Sequence, residues 1–318
     1  MATITTNTAI GERETLADVI VRISPDECPV YSAAQKTTAT GVFQEFLVQE
    51  LASAASNNHV AEGADMTDTG ITNVVRMGNY AQISTKGFII SNTLDVVDKA
   101  GRDREVAYQR TLKGLELRRD VEKYLTDTNT ARDGSSSTRK TASLITWITN
   151  GDAPSDMAFA TGDGTDQADL TGTARALTLA QIDATHQACW SDGGDPSLLV
   201  ASATNRANIS DLTQSGTNLV TNQVNQTAGK QPSFVGATAI LLNDFGQLEI
   251  IPSRLMSNDK ICLIDPNHVA ISTITGRNFV TQEIAPTGDA SKEQVLIEFA
   301  LIPDAPKAHG AVIGLNGS

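Results

Sequence analysis

The sequence has few of the residues that carry enzyme or metal chemistry. Its three cysteines, Cys28, Cys189 and Cys262, lie far apart and lack Cys-x-x-Cys spacing, which argues against a disulfide framework and against a zinc site. None of the four histidines stands at metal-ligand spacing from another histidine or from a cysteine. The sequence therefore predicts no metal-binding residue.

Nucleotide-binding and hydrolase motifs are also absent. No Gly-x-Gly-x-x-Gly, Walker loop or Gly-x-Ser-x-Gly occurs. Residues 244–246 (Asp-Phe-Gly) match three letters of the kinase signature without its other elements, and residues 162–169 lack the acidic spacing and the terminal glutamate of a calcium loop. We therefore expect no catalytic residue, no cofactor-binding residue and no cofactor, and we expect a protein that is not an enzyme.

Positive charge, aromatic residues and long apolar runs are scarce. With 24 basic and 37 acidic residues the net charge is -13, which argues against nucleic-acid binding through a basic surface. No run of 18 apolar residues predicts a membrane span, and the N-terminus lacks the pattern of a signal peptide. A 40% share of hydrophobic residues against 19% charged residues indicates a folded chain.

A long helix is the main positive signal. Residues 95–127 contain no proline and predict a helix far longer than the usual ~11–12 residues. Its apolar residues form two offset stripes, namely Tyr108, Leu112 and Leu115, and then Leu117, Val121, Tyr124 and Leu125. Two partial apolar faces need partners on more than one side, so we expect contact with a sheet or with a neighbouring subunit.

Two strands around a polar tip precede this helix. Residues 41–51 and 73–91 predict the strands, and residues 53–65 are small and polar. A two-stranded ribbon of this size is only marginally stable alone. Two interpretations remain: a hairpin within a larger sheet, or a projecting arm that another subunit completes.

The other segments predict an N-terminal arm and an α/β second half. Within residues 1–36, an apolar helix is predicted over 15–23. Further helices are predicted over 179–191, capped by Thr178, and over 203–212, while 151–172 and 213–231 are read as loops. Strands are predicted over 197–201, 237–243, 246–252, 260–264, 269–273, 277–284, 294–302 and 311–315.

This order of elements resembles the Hong-Kong-97-type fold of tailed-phage and herpesvirus major capsid proteins. Four runs also resemble a branch of phage major head proteins: 141–150, 188–196, 243–254 and 282–292. The resemblance covers about residues 15–310. Its motifs are structural and identify no active site. The fold class that it implies is α+β.

The resemblance implies a division of the chain into named parts. These are an N-arm (1–36), an extended β-ribbon loop (37–92), a peripheral domain (93–177) with a spine helix (95–127), an axial domain (178–275), return strands to the peripheral domain (276–306) and a C-terminal segment (307–318). Apolar residues of the arm and ribbon, Leu16, Ile20, Phe43 and Phe46, are expected to need cover from a second subunit.

The function that the resemblance implies is self-assembly into hexamers and pentamers of an icosahedral phage head that encloses double-stranded DNA. Expected partners are other copies of the chain, a portal protein and scaffolding or decoration proteins, with no sequence-specific DNA binding and no membrane. The expected location is the virion, after assembly in the host cytoplasm. The alternative is an encapsulin-like compartment shell with protein cargo, and an unrelated soluble enzyme is the third reading.

Overall fold

The computed structural model describes residues 24, 26–66, 70–99, 101, 103–214 and 240–317. The helices in these ranges are α1 (Pro29–Ala33), α2 (Asn92–Val96), α3 (Glu105–Thr126), α4 (Leu179–Ser191) and α5 (Ala203–Gln214). The strands are β1 (Gln35–Ala39), β2 (Phe43–Val48), β3 (Val75–Tyr80), β4 (Gln82–Ser91), β5 (Asn150–Asp152), β6 (Leu198–Ala201), β7 (Ile240–Asn243), β8 (Gly246–Pro252), β9 (Lys260–Ile264), β10 (Val269–Ile274), β11 (Val280–Ile284), β12 (Ala290–Pro303) and β13 (Gly310–Ile313).

A five-stranded sheet is built around β12. This 14-residue strand pairs antiparallel with β4, from Ala290 opposite Ser91 to Phe299 opposite Gln82. It also pairs antiparallel with β10 and β11, and β1 pairs parallel with β10 at the end of the sheet. β12 is mostly buried, as expected for a strand with neighbours along both edges.

Helix α3 packs against this sheet. Its buried apolar residues Leu117, Val121 and Leu125 join a core that also contains Trp147 and Phe299. The Tyr108, Leu112 and Leu115 stripe is only half-buried. The prediction of a long two-faced helix is thus confirmed, with one face in the core and the other partly open.

The helix is shorter than the predicted range of 95–127. α2 ends at Val96, and Gly101 has φ +77°, a left-handed conformation that cannot continue a right-handed helix. α3 then begins at Glu105, and the Asp95 carboxylate accepts a hydrogen bond (3.2 Å) from the Val106 N–H. The conformation of Gly101 and the hydrogen bond from Val106 to Asp95 set the boundary.

A six-stranded sheet forms the second layer, in the order β5-β13-β9-β6-β8-β7. Thr178 and Gln181 form a capping box at the start of α4, as the sequence predicts. Ile182 of α4 and Ile209 of α5 pack in its core with buried residues of β6, β8 and β9. Pairing of Asn243 with Gly246 makes residues 244–246 part of a hairpin turn.

The predicted strand over 73–91 is wrong as a single strand, because the chain changes sheets at Ala81. β3 pairs with β2 as a two-stranded ribbon, whereas β4 joins the five-stranded sheet. Ala81 is fully buried at this change, and its N–H donates to the Val42 carbonyl (2.8 Å). Among the described strands β2 and β3 pair only with each other, so this hairpin does not lie within a larger sheet, and its cover by another subunit stays a prediction.

Sheet membership also departs from the domain ranges implied by the resemblance. β10 lies within the range 178–275 but belongs to the five-stranded sheet, and β13 of the C-terminal segment belongs to the six-stranded one. The chain crosses between the sheets at 265–268 and again at 304–309. Strand β1 was not predicted from the sequence. It begins within the predicted arm (1–36) and continues past its end to Ala39. Its residues are polar and exposed at a sheet edge, so the sequence there lacks the apolar pattern of a strand.

Most other predicted elements are found within a few residues of their expected ends, which is the usual uncertainty for boundaries. The strand expected over 294–302 is longer (β12), and the one over 277–284 is shorter (β11). The helix over 15–23, with Leu16 and Ile20, and residues 215–239 of the predicted loop and strand lie outside the described residues.

Candidate functional site: surfaces available for assembly

Polar groups that suggested chemistry in the sequence are used structurally. His309 is fully buried, with Nδ1 3.2 Å from the Asp265 backbone nitrogen and Nε2 3.3 Å from the His268 carbonyl oxygen. His268 Nδ1 lies 3.0 Å from Asp304. These contacts connect the two segments that cross between the sheets, 265–268 and 304–309. The two histidines therefore have a structural role at this junction.

The cysteines are buried thiols. Burial raises the pKa of Cys28 to about 11 and the pKa of Cys189 and Cys262 to about 12. The reactive thiolate is therefore disfavoured at neutral pH. Among the described residues no group of three His, Cys, Asp or Glu is placed to hold a metal ion.

The acidic loop at 162–169 satisfies its own carboxylates. Asp163 accepts from the Thr165 N–H (2.9 Å), and Asp166 accepts from the Thr161 hydroxyl (2.7 Å). Both are local hydrogen bonds within turns, the first from a backbone N–H and the second from a side-chain hydroxyl. The arrangement fits a folded surface loop.

Several exposed apolar side chains lie on the ribbon loop, which we define as the described residues between β2 and β3 (49–66 and 70–74). Leu51 is 97% exposed, Ile71 91% and Met66 89%. Leu47, at the end of β2, is 69% exposed. Apolar residues concentrated on one projecting loop are typical of an interaction surface.

Two ribbon residues that the sequence assigned to a subunit interface pack partly against aromatic rings of their own chain. The Phe46 ring lies 5.8 Å from the Trp147 ring, and the Phe43 ring lies 4.6 Å from that of Tyr80. Both phenylalanines are half-buried. The base of the ribbon folds back onto the body of the chain and covers part of each ring, and the cover of the remaining surface by a second subunit stays a prediction.

A second exposed apolar surface surrounds α2. Ile89 of β4 is 65% exposed, and Val96 and Val97 are 86% and 54% exposed. The opposite face of β4 carries Lys86, whose ammonium group lies 2.8 Å from Asp120 of α3. One face of β4 is thus covered by the chain itself and the other is open.

Polar contacts fix α3 to the segments around it. Arg110 forms a bidentate pair with Glu293 of β12 (2.9 and 2.7 Å). The buried Lys260 of β9 donates to the Asp127 carbonyl oxygen (2.7 Å) at the C-terminal end of the helix. A cation at that position satisfies an open carbonyl and complements the helix dipole. α3 thereby connects both sheets.

The buried carboxylate of Glu122 holds the segment that leads into α1. It accepts hydrogen bonds from the backbone N–H groups of Val30 (3.1 Å) and Tyr31 (2.7 Å). Burial raises the pKa of Glu122, and these two hydrogen bonds oppose that rise. Arg118 donates to the Ser32 hydroxyl (2.7 Å), so it also serves this internal contact.

A comparison with known protein families gives the family of this chain. The family model described as SU10 major capsid protein matches residues 3–316. The chain belongs to the SU10 major capsid protein family.

A curated relative agrees with this family. The chain is 32% identical over 115 residues to a protein named major capsid protein from Escherichia phage Phieco32. That alignment covers 36% of this chain and 33% of the relative, so the chain matches about a third of the relative's length.

Solved structures are similar to this chain over almost its whole length, although their sequence identity to it is low. The capsid asymmetric unit of cyanophage A-1(L) aligns with a TM-score of 0.68 at 11% identity, over 98% of both chains. A structure from Mycobacterium phage Bobi aligns at 0.61 with 14% identity, over 98% of this chain and 99% of that one. The SrpI encapsulin complex from Synechococcus elongatus PCC 7942 aligns at 0.58 with 10% identity, over 96% and 94%.

These likenesses confirm the predicted fold class, α+β with the Hong-Kong-97-type capsid fold. Because an encapsulin shares the fold, the fold alone does not separate a phage head from a cargo compartment. In this capsid-family chain, no helix among the described residues is both long and apolar enough to cross a membrane.

Proposed function

We propose that this chain is the major capsid protein of a phage, building hexamers and pentamers of an icosahedral head that encloses double-stranded DNA. The observation that carries the proposal is the match of the family model to residues 3–316. The exposed ribbon loop and the open face around α2 supply the apolar surface that such a shell would bury between subunits.

The protein acts as a structural subunit of the shell and has no catalytic role. The chemistry-bearing side chains described above are buried or paired within the chain, in keeping with a structural task. The net charge of -13 favours enclosure of DNA without sequence-specific binding. Its partners are other copies of itself and a portal protein, with scaffolding or decoration proteins, and the shell is assembled in the host cytoplasm before it becomes part of the virion.

The alternative is an encapsulin-like shell with protein cargo, favoured by the alignment to the encapsulin complex. The curated phage relative and the family model favour the phage head. The contents of the particle separate the two functions. Nuclease-protected double-stranded DNA in particles purified from their natural source supports the head, and a packaged enzyme supports the compartment.

Electron microscopy of the purified full-length chain tests shell formation directly. We expect closed, regular particles made of five- and six-fold clusters, together with loss of monomer as the concentration rises. The proposal would be contradicted if the chain stayed a monodisperse monomer at high concentration. It would have to form no particles at any salt concentration, and none when the partner genes are co-expressed.

A further inference from the structure

A groove of about 450 Å³ lies where the five-stranded sheet meets the ribbon. One side is formed by residues 37–41, the end of β1 and the turn after it, and the other by Phe43, Gln44 and Glu45. Consecutive residues of β1 line it, so both faces of that strand contribute. This is expected when a groove runs alongside the edge of a strand. Its volume lies within the ~300–1,000 Å³ typical of binding sites.

The groove has an open strand edge along one side. β1 pairs only with β10 among the strands that the structure describes, and it stands at the end of its sheet. Four of its five residues are exposed. An edge of this kind presents unpaired backbone N–H and C=O groups, which can pair with an added strand.

Gln44, which lines the groove, carries a buried amide that no described residue satisfies. Its side chain is only 7% exposed, yet neither its amide nitrogen nor its amide oxygen has a hydrogen-bond partner among the described residues. A buried amide without partners costs about 1–3 kcal/mol. A peptide backbone offers one donor and one acceptor per residue, which matches the donor and acceptor of a glutamine amide.

The ribbon loop contains a segment with the complementary chemistry. Residues 52–58 (Ala-Ser-Ala-Ala-Ser-Asn-Asn) are uncharged, small and exposed, and their backbone groups make no hydrogen bond to any described residue. The groove lining is also mostly small and uncharged, with Thr37, Thr38 and Ser272 among its residues. Its one acidic residue, Glu45, is paired with Arg76 (3.1 Å). Neither partner would have to bury an unpaired charge.

We propose that residues 52–58 of a second copy of this chain bind in this groove as an added strand along β1, with the Gln44 amide hydrogen-bonded to their backbone. This inference deepens the proposed function and rests on it, because it names the receptor for the ribbon loop within the shell. The bound segment satisfies Gln44 and the open edge of β1 together.

The substitution Gln44→Leu distinguishes a role of Gln44 in binding a second copy from a role in stabilising its own chain. Leucine keeps most of the volume and removes an amide that has no partner among the described residues of its own chain, so the thermal stability of the unassembled subunit should stay equal or rise. Assembly should weaken, with the subunit concentration for half-maximal assembly rising roughly 3- to 10-fold for the loss of one or two net hydrogen bonds. Gln187→Leu, an exposed glutamine on α4, is the matched control and should change neither quantity.

A synthetic peptide of residues 51–60 provides a second test on the full-length chain. It should slow assembly of the wild-type subunit in a dose-dependent way, whereas a scrambled peptide should not, and the Gln44→Leu subunit should be several-fold less sensitive. Cryo-electron microscopy of the shell should show residues 52–58 of a neighbour in the groove.

Three outcomes would overturn the inference: a groove filled by water or by any other segment, such as residues 1–23; no effect of the peptide; or a Gln44→Leu subunit that is less stable but assembles at the wild-type concentration. Each can occur while regular shells still form, in which case the proposed function stands. Failure of the wild-type chain to form any shell removes the proposed function instead.

Discussion

Buried polar side chains set the geometry of this chain at the scale of single residues. Glu122, Lys260 and His309 are each almost inaccessible to solvent, and each connects segments that are distant in sequence. Such groups stabilise a structure only while their partners are in place, because a buried donor or acceptor left alone costs about 1–3 kcal/mol.

Glu122→Gln should detach the segment that leads into α1. Both carboxylate oxygens accept backbone N–H groups, and glutamine replaces one of these acceptors with a donor. We expect the free energy of unfolding to fall by about 1–3 kcal/mol in urea denaturation, with faster hydrogen exchange at Val30 and Tyr31. Glu116→Gln is the control, since that residue pairs with Lys113 on a half-exposed face of the same helix (2.8 Å) and should cost under about 0.5 kcal/mol. Equal effects of the two substitutions would contradict the anchoring role.

His309 should make the junction between the sheets sensitive to acid. Burial lowers its pKa from 6.5 to about 4, because the folded protein needs the neutral ring that accepts from the Asp265 N–H. The unfolded chain then binds more protons than the folded one between these two values. The contribution of His309 to stability is therefore complete above pH ~6.5 and is lost as the pH falls towards 4, by about 3 kcal/mol in total.

Urea denaturation between pH 4 and 7 measures this dependence. His309→Asn should give a protein that is less stable at pH 7 and has a shallower slope with pH, whereas His59→Asn, in the exposed ribbon loop, should keep the wild-type slope. A variant at position 309 with an unchanged slope would show that other groups cause the pH dependence.

At the scale of elements, the ribbon divides into a base that folds with its own chain and a loop that does not. Phe43 and Phe46 at the base pack against Tyr80 and Trp147, while residues 51–65 contribute no buried side chain. The base therefore contributes to folding, and the loop is available for contacts with another subunit.

Deletion of residues 53–65 should leave a folded body that assembles poorly. Since these residues are exposed and polar, we expect the free energy of unfolding to stay within about 1 kcal/mol of the wild-type value. Light scattering should show little or no assembly. A Gly/Ser segment of the same length tests whether the loss comes from contacts or from length. Global unfolding of the deletion variant would mean that the loop belongs to the core.

At the scale of the whole molecule, the net charge of -13 opposes the packing of many copies into one shell. Like charges repel within the ~8–10 Å Debye length, so apolar and hydrogen-bonded contacts must hold the shell together. We expect assembly to improve as the ionic strength rises from low to moderate values. Light scattering of purified subunits across a salt series measures this.

A fall in assembly with added salt would instead indicate interfaces built on ion pairs, which salt screens. Arg104 and Arg119 would then be the first residues to substitute. Arg118 is a weaker candidate, because it already contacts Ser32 and the Tyr31 ring within its own chain. Arg102 lies outside the described residues.

The amino-acid sequence by itself determined the local elements and the class of protein. The apolar periodicity of Leu117, Val121 and Leu125 predicts the central helix, and the Thr178 cap predicts the start of α4, because both signals depend on residues three or four positions apart. The scarcity of chemical motifs and the order of arm, ribbon and long helix, together with the family resemblance, predicted a capsid subunit. The comparison with the SU10 family then supported that reading.

Only the tertiary structure decided how these elements are shared between sheets. It placed β10 beside β12 and β13 beside β9, split the strand predicted over 73–91 at Ala81, and packed Phe43 against Tyr80 and Phe46 against Trp147. Within the described residues, it also left Gln44 buried without a partner beside an open strand edge. Sequence patterns report which residues prefer burial over a few positions. Which group covers a given side chain depends on contacts between residues that are far apart in the sequence. For some side chains it depends on contacts that only a second subunit can supply.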